Sequence, residues 1–162
     1  MTVASSALRL ADLRRPAPHF QRAINLKYDL DNAAVIAAYV PTVEAADALK
    51  RLLRSLAPDA QQRAFFLHGP YGSGKSLLVT TLAAILSQDA PLSEALTPVI
   101  LQLEEIAPDT AALVRQHLSH GPRLLPVVLN GDEGDLASAL LRALFVALRR
   151  IGWDEIRLAT HY

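Results

Sequence analysis

The sequence predicts an α/β fold in which a parallel sheet lies between two layers of helices, in the three-layer order α/β/α. Two apolar segments of strand length support this prediction, residues 64–68 and residues 124–129. Each is followed by a segment with the length and apolar pattern of a helix, so strands and helices alternate along the chain. A parallel sheet covered on both faces generally needs about five strands. Because only two are clear, the sequence predicts an incomplete sheet.

The composition sets the size and class of the protein. The chain has 162 residues, 51% of them hydrophobic, which suits one domain, or part of one, with a sizeable core. Its 16 basic and 16 acidic side chains balance, so no broad polyanion-binding surface is indicated, and a local contact with DNA is left open. The absence of cysteine excludes disulfides and thiolate ligands and favours the cytoplasm. The longest apolar run, residues 77–86, is too short to span a membrane.

Cap and breaker residues mark the elements before the first strand. Prolines within residues 14–18 break any early helix. The pattern of residues 33–39 predicts a short helix. Thr42 can cap the next helix, whose apolar stripe consists of the leucines at positions 49, 52, 53 and 56. The first strand, a glycine-rich loop and an apolar helix reaching about Ser87 then follow.

The second half of the chain is mostly helical in pattern. Residues 99–101 could be a strand. Thr97-Pro98 is typical of a helix start, however, and favours a helix that runs to residue 106. Asp109 is expected to cap a further helix, which ends at Gly121. After the strand at residues 124–129, leucines recurring every fourth residue predict a long helix over residues 136–151.

The loop between the first strand and its helix carries the clearest chemical signal. It reads Gly69-Pro70-Tyr71-Gly72-Ser73-Gly74-Lys75-Ser76, a complete G-x-x-x-x-G-K-[ST] pattern. In this pattern the glycines let backbone N–H groups surround a phosphate, the lysine supplies a mobile positive charge, and the serine hydroxyl can bind Mg²⁺. The chain has only three lysines beside 13 arginines, so a chance match is improbable. The alternative interpretation is a glycine-rich turn without a ligand.

Hydrolysis of a nucleotide needs more than this loop. An acidic residue at the end of a second strand usually holds Mg²⁺ and orients the attacking water. Asp132 and Glu133 are the local candidates, but Asn130 and Gly131 separate them from the strand. The alternative is a polar loop in which Asp135 caps the following helix. The sequence therefore identifies no catalytic residue.

Several flanking side chains have two interpretations each. His68 ends the first strand and is expected to serve packing rather than catalysis. Tyr71 could shield the phosphates or touch a neighbouring element. The positive charges of Arg149 and Arg150 interact favourably with the helix dipole at a helix C-terminus. We expect both side chains to be solvated. Trp153 is expected to lie in the core or an interface, and the histidines at positions 117, 120 and 161 show no metal-ligand spacing.

Segments around the loop resemble a known group of ATPases. Residues 39–44 with the following leucine-striped helix resemble the entry segment of AAA+-like and STAND-like ATPases, which helps to line the adenine pocket. Residues 65–76 and 125–135 are similar to the N-terminal ATPase of very large bacterial proteins, those of BREX-type phage-defence systems. The resemblance runs from about Phe20 onward and implies a P-loop NTPase fold. It also implies that this chain is a fragment, with the catalytic acid beyond Tyr162.

These observations predict a nucleotide-binding protein. We expect residues 1–40 to be a helical lead-in segment and residues 41–162 to be the first half of a P-loop NTPase domain. ATP is expected to bind residues 69–77, with Leu77 contributing at the helix start, and Mg²⁺ is expected at Ser76. Hydrolysis would belong to a longer polypeptide or a defence complex. A non-catalytic, nucleotide-dependent interaction module is the alternative, and a small-molecule kinase is a third, less favoured interpretation.

Overall fold

The computed structural model describes residues 24–129, 131 and 134–153 of the chain. Most of the predicted lead-in segment lies outside these residues, as do His161 and the two acidic candidates for a metal site, Asp132 and Glu133. The predicted division at residue 40 falls between two short helices and stays a prediction.

Helices account for all the regular secondary structure in the part of the chain that the structure describes. They are α1 Leu26–Asp29, α2 Ala33–Ala37, α3 Val43–Arg54, α4 Lys75–Ser87, α5 Ala90–Ala95, α6 Thr97–Ile106, α7 Pro108–His120 and α8 Leu136–Arg150. The predicted helices at residues 77–86, 97–106 and 136–151 are confirmed to within one or two residues. None of the described helices combines the length and apolar character needed to cross a membrane.

The predicted parallel sheet is absent from residues 24–129, 131 and 134–153, which contain no β-strand. The three-layer α/β/α prediction is therefore wrong. The assignment to the P-loop NTPase class, including its AAA-like ATPases, is wrong with it, because such a sheet defines that class.

The two segments predicted as strands lie outside helices but pair with no partner strand. The backbone N–H of Leu124 donates to the carbonyl of Leu86 at the end of α4, 2.8 Å away, rather than to the other segment. In residues 65–68 burial alternates, since Phe65 and Leu67 are half-buried while Phe66 and His68 are exposed. The segment thus alternates in burial as a strand would, but a strand is defined by its ladder of backbone hydrogen bonds, and that ladder is missing from the described residues.

The core lies between α4 and the helices around it. Helix α4 contacts α1, α2, α3, α5 and α7, and α6 packs against α7. Ala84 and Ile85 of α4 are fully buried, together with Leu49 of α3 and Val114 of α7. The apolar character of α4 on all sides therefore reflects helices around it, rather than the sheet that its sequence suggested.

Side-chain caps fix where several helices begin. The Thr42 hydroxyl accepts a hydrogen bond from the backbone N–H of Ala45 at 3.2 Å, as its position before α3 predicted. Asp135 accepts from the N–H of Ser138 at 2.9 Å at the start of α8. This interaction with Ser138 lowers the pKa of Asp135, which keeps the capping carboxylate ionised. The prediction for Asp109 is wrong: it lies in the first turn of α7 and forms an ion pair with Lys50 instead.

Replacing Leu103 by alanine tests the helical core. Leu103 on α6 is 1% exposed, whereas Leu101 on the same helix is 54% exposed. We expect Leu103→Ala to lower the free energy of unfolding by about 2–5 kcal/mol, because it leaves a cavity. Leu101→Ala, the matched control, should cost less than about 0.5 kcal/mol. Urea denaturation followed by circular dichroism measures both, and equal losses would contradict this description of the core.

Candidate functional site

The G-x-x-x-x-G-K-S sequence forms an exposed bend between an extended segment and the core helix. We call residues 69–76 the GKS loop. Helix α4 begins inside it, at Lys75, with Gly74 as the N-cap residue. Pro70 and the next three residues of the loop are exposed, and the Tyr71 side chain is 93% exposed. The middle of α4 is buried, so the helix holds the loop at the surface on a fixed support.

Glycines let the backbone of the GKS loop turn tightly. Gly72 has φ of +80° and Gly74 has φ of +79°, values in the left-handed region that side chains disfavour. Gly69 is constrained differently, because a Cβ atom there would lie 3.0 Å from the Ser73 hydroxyl oxygen. All three glycines of the motif therefore have a structural reason to be glycine in this bend.

The ammonium group of Lys75 lies within the bend. It donates hydrogen bonds to the backbone carbonyls of Gly69 at 2.9 Å and Pro70 at 2.7 Å, and to the Ser73 hydroxyl at 3.2 Å. These three acceptors are neutral, so the positive charge of Lys75 is solvated by dipoles and is not neutralised by an acidic group there. An anion that reached the bend would meet this charge directly.

Backbone N–H donors at the start of α4 also favour an anion at the bend. The first hydrogen bond to a helix carbonyl runs from the N–H of Leu78 to Gly74, at 2.9 Å. The N–H groups of Lys75, Ser76 and Leu77 precede it, and no side chain caps the helix. Unsatisfied N–H groups and the positive end of the helix dipole together favour an anion at this position.

Ser76 is the residue available to a metal ion in the loop. It is half-buried in the first turn of α4, and its carbonyl accepts a hydrogen bond from the Thr80 hydroxyl at 2.9 Å. Within the described ranges, no three His, Asp or Glu side chains are grouped so that they could hold a metal ion. A single hydroxyl suits Mg²⁺ bound mainly by phosphate oxygens and water, which is its usual mode. Ser76 could therefore supply one ligand, and the other ligands of a metal ion would have to come from a bound molecule and water.

The other side chains that the sequence suggested make contacts with residues outside the GKS loop. His68 is exposed and stacks on Phe66 with the ring centres 6.2 Å apart, so it does not serve the packing role expected of it. Arg149 lies over the Phe145 ring, and Arg150 forms an ion pair with Asp31. These two arginines are thus held by contacts at the end of α8.

One feature of the structure had no signal in the sequence. A cavity of about 620 Å³ lies between the C-terminal end of α8 and residues 123–126, and Trp153 lines it. Arg123 stands at this cavity and donates to the Ser87 carbonyl at 2.7 Å. Trp153 is 40% exposed, so it does not lie in the core of the described residues, and its placement in an interface stays a prediction. Such a cavity arises from tertiary packing and leaves no local pattern.

Comparison with known proteins gives no relative. No protein-family model, no curated protein and no solved structure matches this chain.

Replacing Gly74 by alanine tests the backbone geometry of the loop. Because φ at Gly74 is +79°, an alanine there should lower the free energy of unfolding by about 1–2 kcal/mol. Gly134→Ala is the matched control, since its added Cβ meets open space and its φ lies outside the left-handed region. Thermal denaturation of both variants measures the difference. A Gly74→Ala variant as stable as the control would contradict the left-handed conformation.

Proposed function

We propose that the GKS loop binds the phosphates of Mg-ATP. The observation that carries this proposal is the convergence of three features on one bend: the Lys75 ammonium, the uncapped helix N-terminus, and two glycines with positive φ. Each feature favours an anion, and together they suit a polyphosphate rather than a single small ion. The proposal concerns the loop and its helix, and it does not need a sheet.

Different residues of the loop would contact different parts of the magnesium nucleotide. Backbone N–H groups from Tyr71 to Leu77 would surround the β-phosphate, with Gly72 and Gly74 giving the backbone its curvature. Lys75 would exchange its bonds with the carbonyls of Gly69 and Pro70 for the β- and γ-phosphate oxygens. The Ser73 hydroxyl accepts a hydrogen bond from the same ammonium, and Ser76 would bind Mg²⁺. The magnesium ion, when bound, would neutralise phosphate charge.

The identity of the nucleotide rests on the sequence. No guanine-reading Asn-Lys-x-Asp stretch occurs in the chain, which favours ATP over GTP. The absence of cysteine supports a cytoplasmic location, where Mg-ATP is abundant. The resemblance to phage-defence ATPases stays a prediction, and so does the work that ATP would drive, including any action on DNA or in a larger complex.

Hydrolysis is not assigned to any described residue. The two acidic candidates, Asp132 and Glu133, lie outside the described residues. A module that binds ATP and changes its interactions without hydrolysis is therefore the second candidate function. A small-molecule kinase is less favoured, because Arg142, Arg149 and Arg150 belong to α8 rather than to a loop that could close over a substrate.

Replacing Lys75 by alanine tests ATP binding. Hydrogen bonds to charged groups contribute about 1.5–3 kcal/mol, so we expect Lys75→Ala to weaken binding of a fluorescent ATP analogue by about 10- to 100-fold. Lys50→Ala is the control, because it removes the same charge from a lysine that is paired with Asp109, 3.1 Å away. Its affinity should match that of the original chain. Equal affinity of all three proteins, or no binding by any of them, would count against the proposal.

Phosphate release separates the two candidate functions. If the chain binds ATP without hydrolysing it, a coupled phosphate assay should give no turnover above the rate of the Lys75→Ala variant. Turnover that depends on Lys75 would contradict the non-catalytic module and direct attention to Asp132 and Glu133. Asp132→Asn and Glu133→Gln, each measured alone, would then identify the acidic residue by the loss of that turnover.

A further inference from the structure

Two aromatic side chains are exposed directly before the GKS loop. Phe66 is 87% exposed, whereas Phe65 and Phe145 are half-buried, and His68 is exposed as well. Side chains two residues apart on an extended segment point to the same side, so Phe66 and His68 share a face. Exposing a phenyl ring forgoes the free energy that its burial would contribute. A ligand that covered this ring would recover that free energy.

The spacing of these two rings is close to what one flat ring between them requires. The planes of Phe66 and His68 differ by 27°, and the ring centres are 6.2 Å apart. Bases in nucleic acids stack about 3.4 Å apart, so a base between two rings needs ring centres about 6.8 Å apart. The observed separation is about 0.6 Å shorter, which small rotations of two exposed side chains can supply. We call the space between the two rings the aromatic slot.

The packed side of the same segment fixes the direction in which the slot opens. Phe65 and Leu67 alternate with the two exposed rings and are half-buried, and Leu67 packs against the core. Rotating the segment so that Phe66 and His68 became buried would expose these two residues instead. The rings are therefore held toward solvent by the packing of their neighbours, and a ligand can stack on them without rearranging the backbone.

We propose that the aromatic slot binds the base of the nucleotide whose phosphates occupy the GKS loop, and that this base is a purine. The inference rests on the proposed function and adds to it the recognition of the base. Stacking needs only the flat face of each ring, and the larger face of a purine stacks more strongly than that of a pyrimidine. Phe66 and His68 thus favour a purine nucleoside triphosphate over a triphosphate that carries no base.

The hydrogen bonds of Lys75 place the aromatic slot near the phosphate site. The carbonyl oxygen of Gly69 is 2.9 Å from the Lys75 ammonium, and Gly69 follows His68 directly in the chain. Adding the lengths of the intervening bonds puts the Cα atom of His68 within about 9 Å of the ammonium. The ribose and α-phosphate of a nucleotide separate its base from its β-phosphate by a distance of the same order. One nucleotide can therefore reach both the slot and the loop.

Titration calorimetry with ATP, CTP and ribose 5′-triphosphate, each with excess Mg²⁺, tests the aromatic slot. The original chain should bind ATP more tightly than either of the other two ligands. Phe66→Ala should weaken ATP binding about 5- to 100-fold, the usual effect of removing one stacked aromatic ring, and leave binding of ribose 5′-triphosphate unchanged. Tyr28→Ala is the matched control, because it removes another exposed aromatic ring, on α1, and it should bind all three ligands like the original chain.

The outcomes separate this inference from the proposed function. An original chain that binds none of the three ligands would overturn both. An original chain that binds ribose 5′-triphosphate as tightly as ATP would overturn the slot alone and leave phosphate binding in place. Unchanged ATP affinity in Phe66→Ala, or an equal loss of affinity for ATP and ribose 5′-triphosphate, would also overturn the slot alone.

The Phe66→Trp variant reports stacking directly. It should keep its affinity for ATP, because an indole ring also stacks on a base. ATP should quench the added indole fluorescence, whereas ribose 5′-triphosphate should not. The chain has one native tryptophan, Trp153, so the original chain measures the background signal. Quenching of the same size by the two ligands would overturn stacking at position 66.

Discussion

The burial of α4 is the constraint on which the rest of the molecule depends. Its central residues, among them Ala84 and Ile85, are closed in by helices on several sides, so its axis cannot shift without opening the core. Its first turn reaches the surface, and the GKS loop enters it there. One helix thus supplies both the centre of the core and the N-terminal backbone donors of the candidate site. A loop holds its N–H groups in a fixed direction more precisely when it is attached to a rigid helix of this kind.

Lysine and glycine contribute to the site in different ways. The glycines act through the backbone, because only their conformations allow the chain to turn so tightly before the helix. Lys75 acts through charge, and its present acceptors are two carbonyls and a hydroxyl. A phosphate can replace such neutral partners. If Lys75 were paired with a carboxylate instead, displacing that carboxylate would cost more electrostatic energy. Ligand binding would therefore rearrange one side chain on an already curved backbone.

Helices α4 and α8 have similar compositions but are packed differently. Both are rich in leucine and alanine, but α4 is enclosed by other helices, whereas α8 rests on a short extended segment through its alanines. Its leucines are left on the outside. Periodicity identified both helices, but it could not say which apolar side of α8 faces inward, because either side is apolar enough to be buried.

The sequence by itself determined the helices and the composition of the loop. Caps at Thr42 and Asp135, the break at Gly121 and the G-x-x-x-x-G-K-S spacing are local signals, and local signals act through hydrogen bonds to nearby backbone. The sheet was predicted wrongly because an apolar run of strand length, such as residues 64–68, is also a local signal, whereas a strand exists only through pairing with a distant segment. Only the tertiary structure decided that the two predicted strands do not pair, which side of α8 faces inward, and where the cavity beside Trp153 lies. Each of these depends on which surfaces meet.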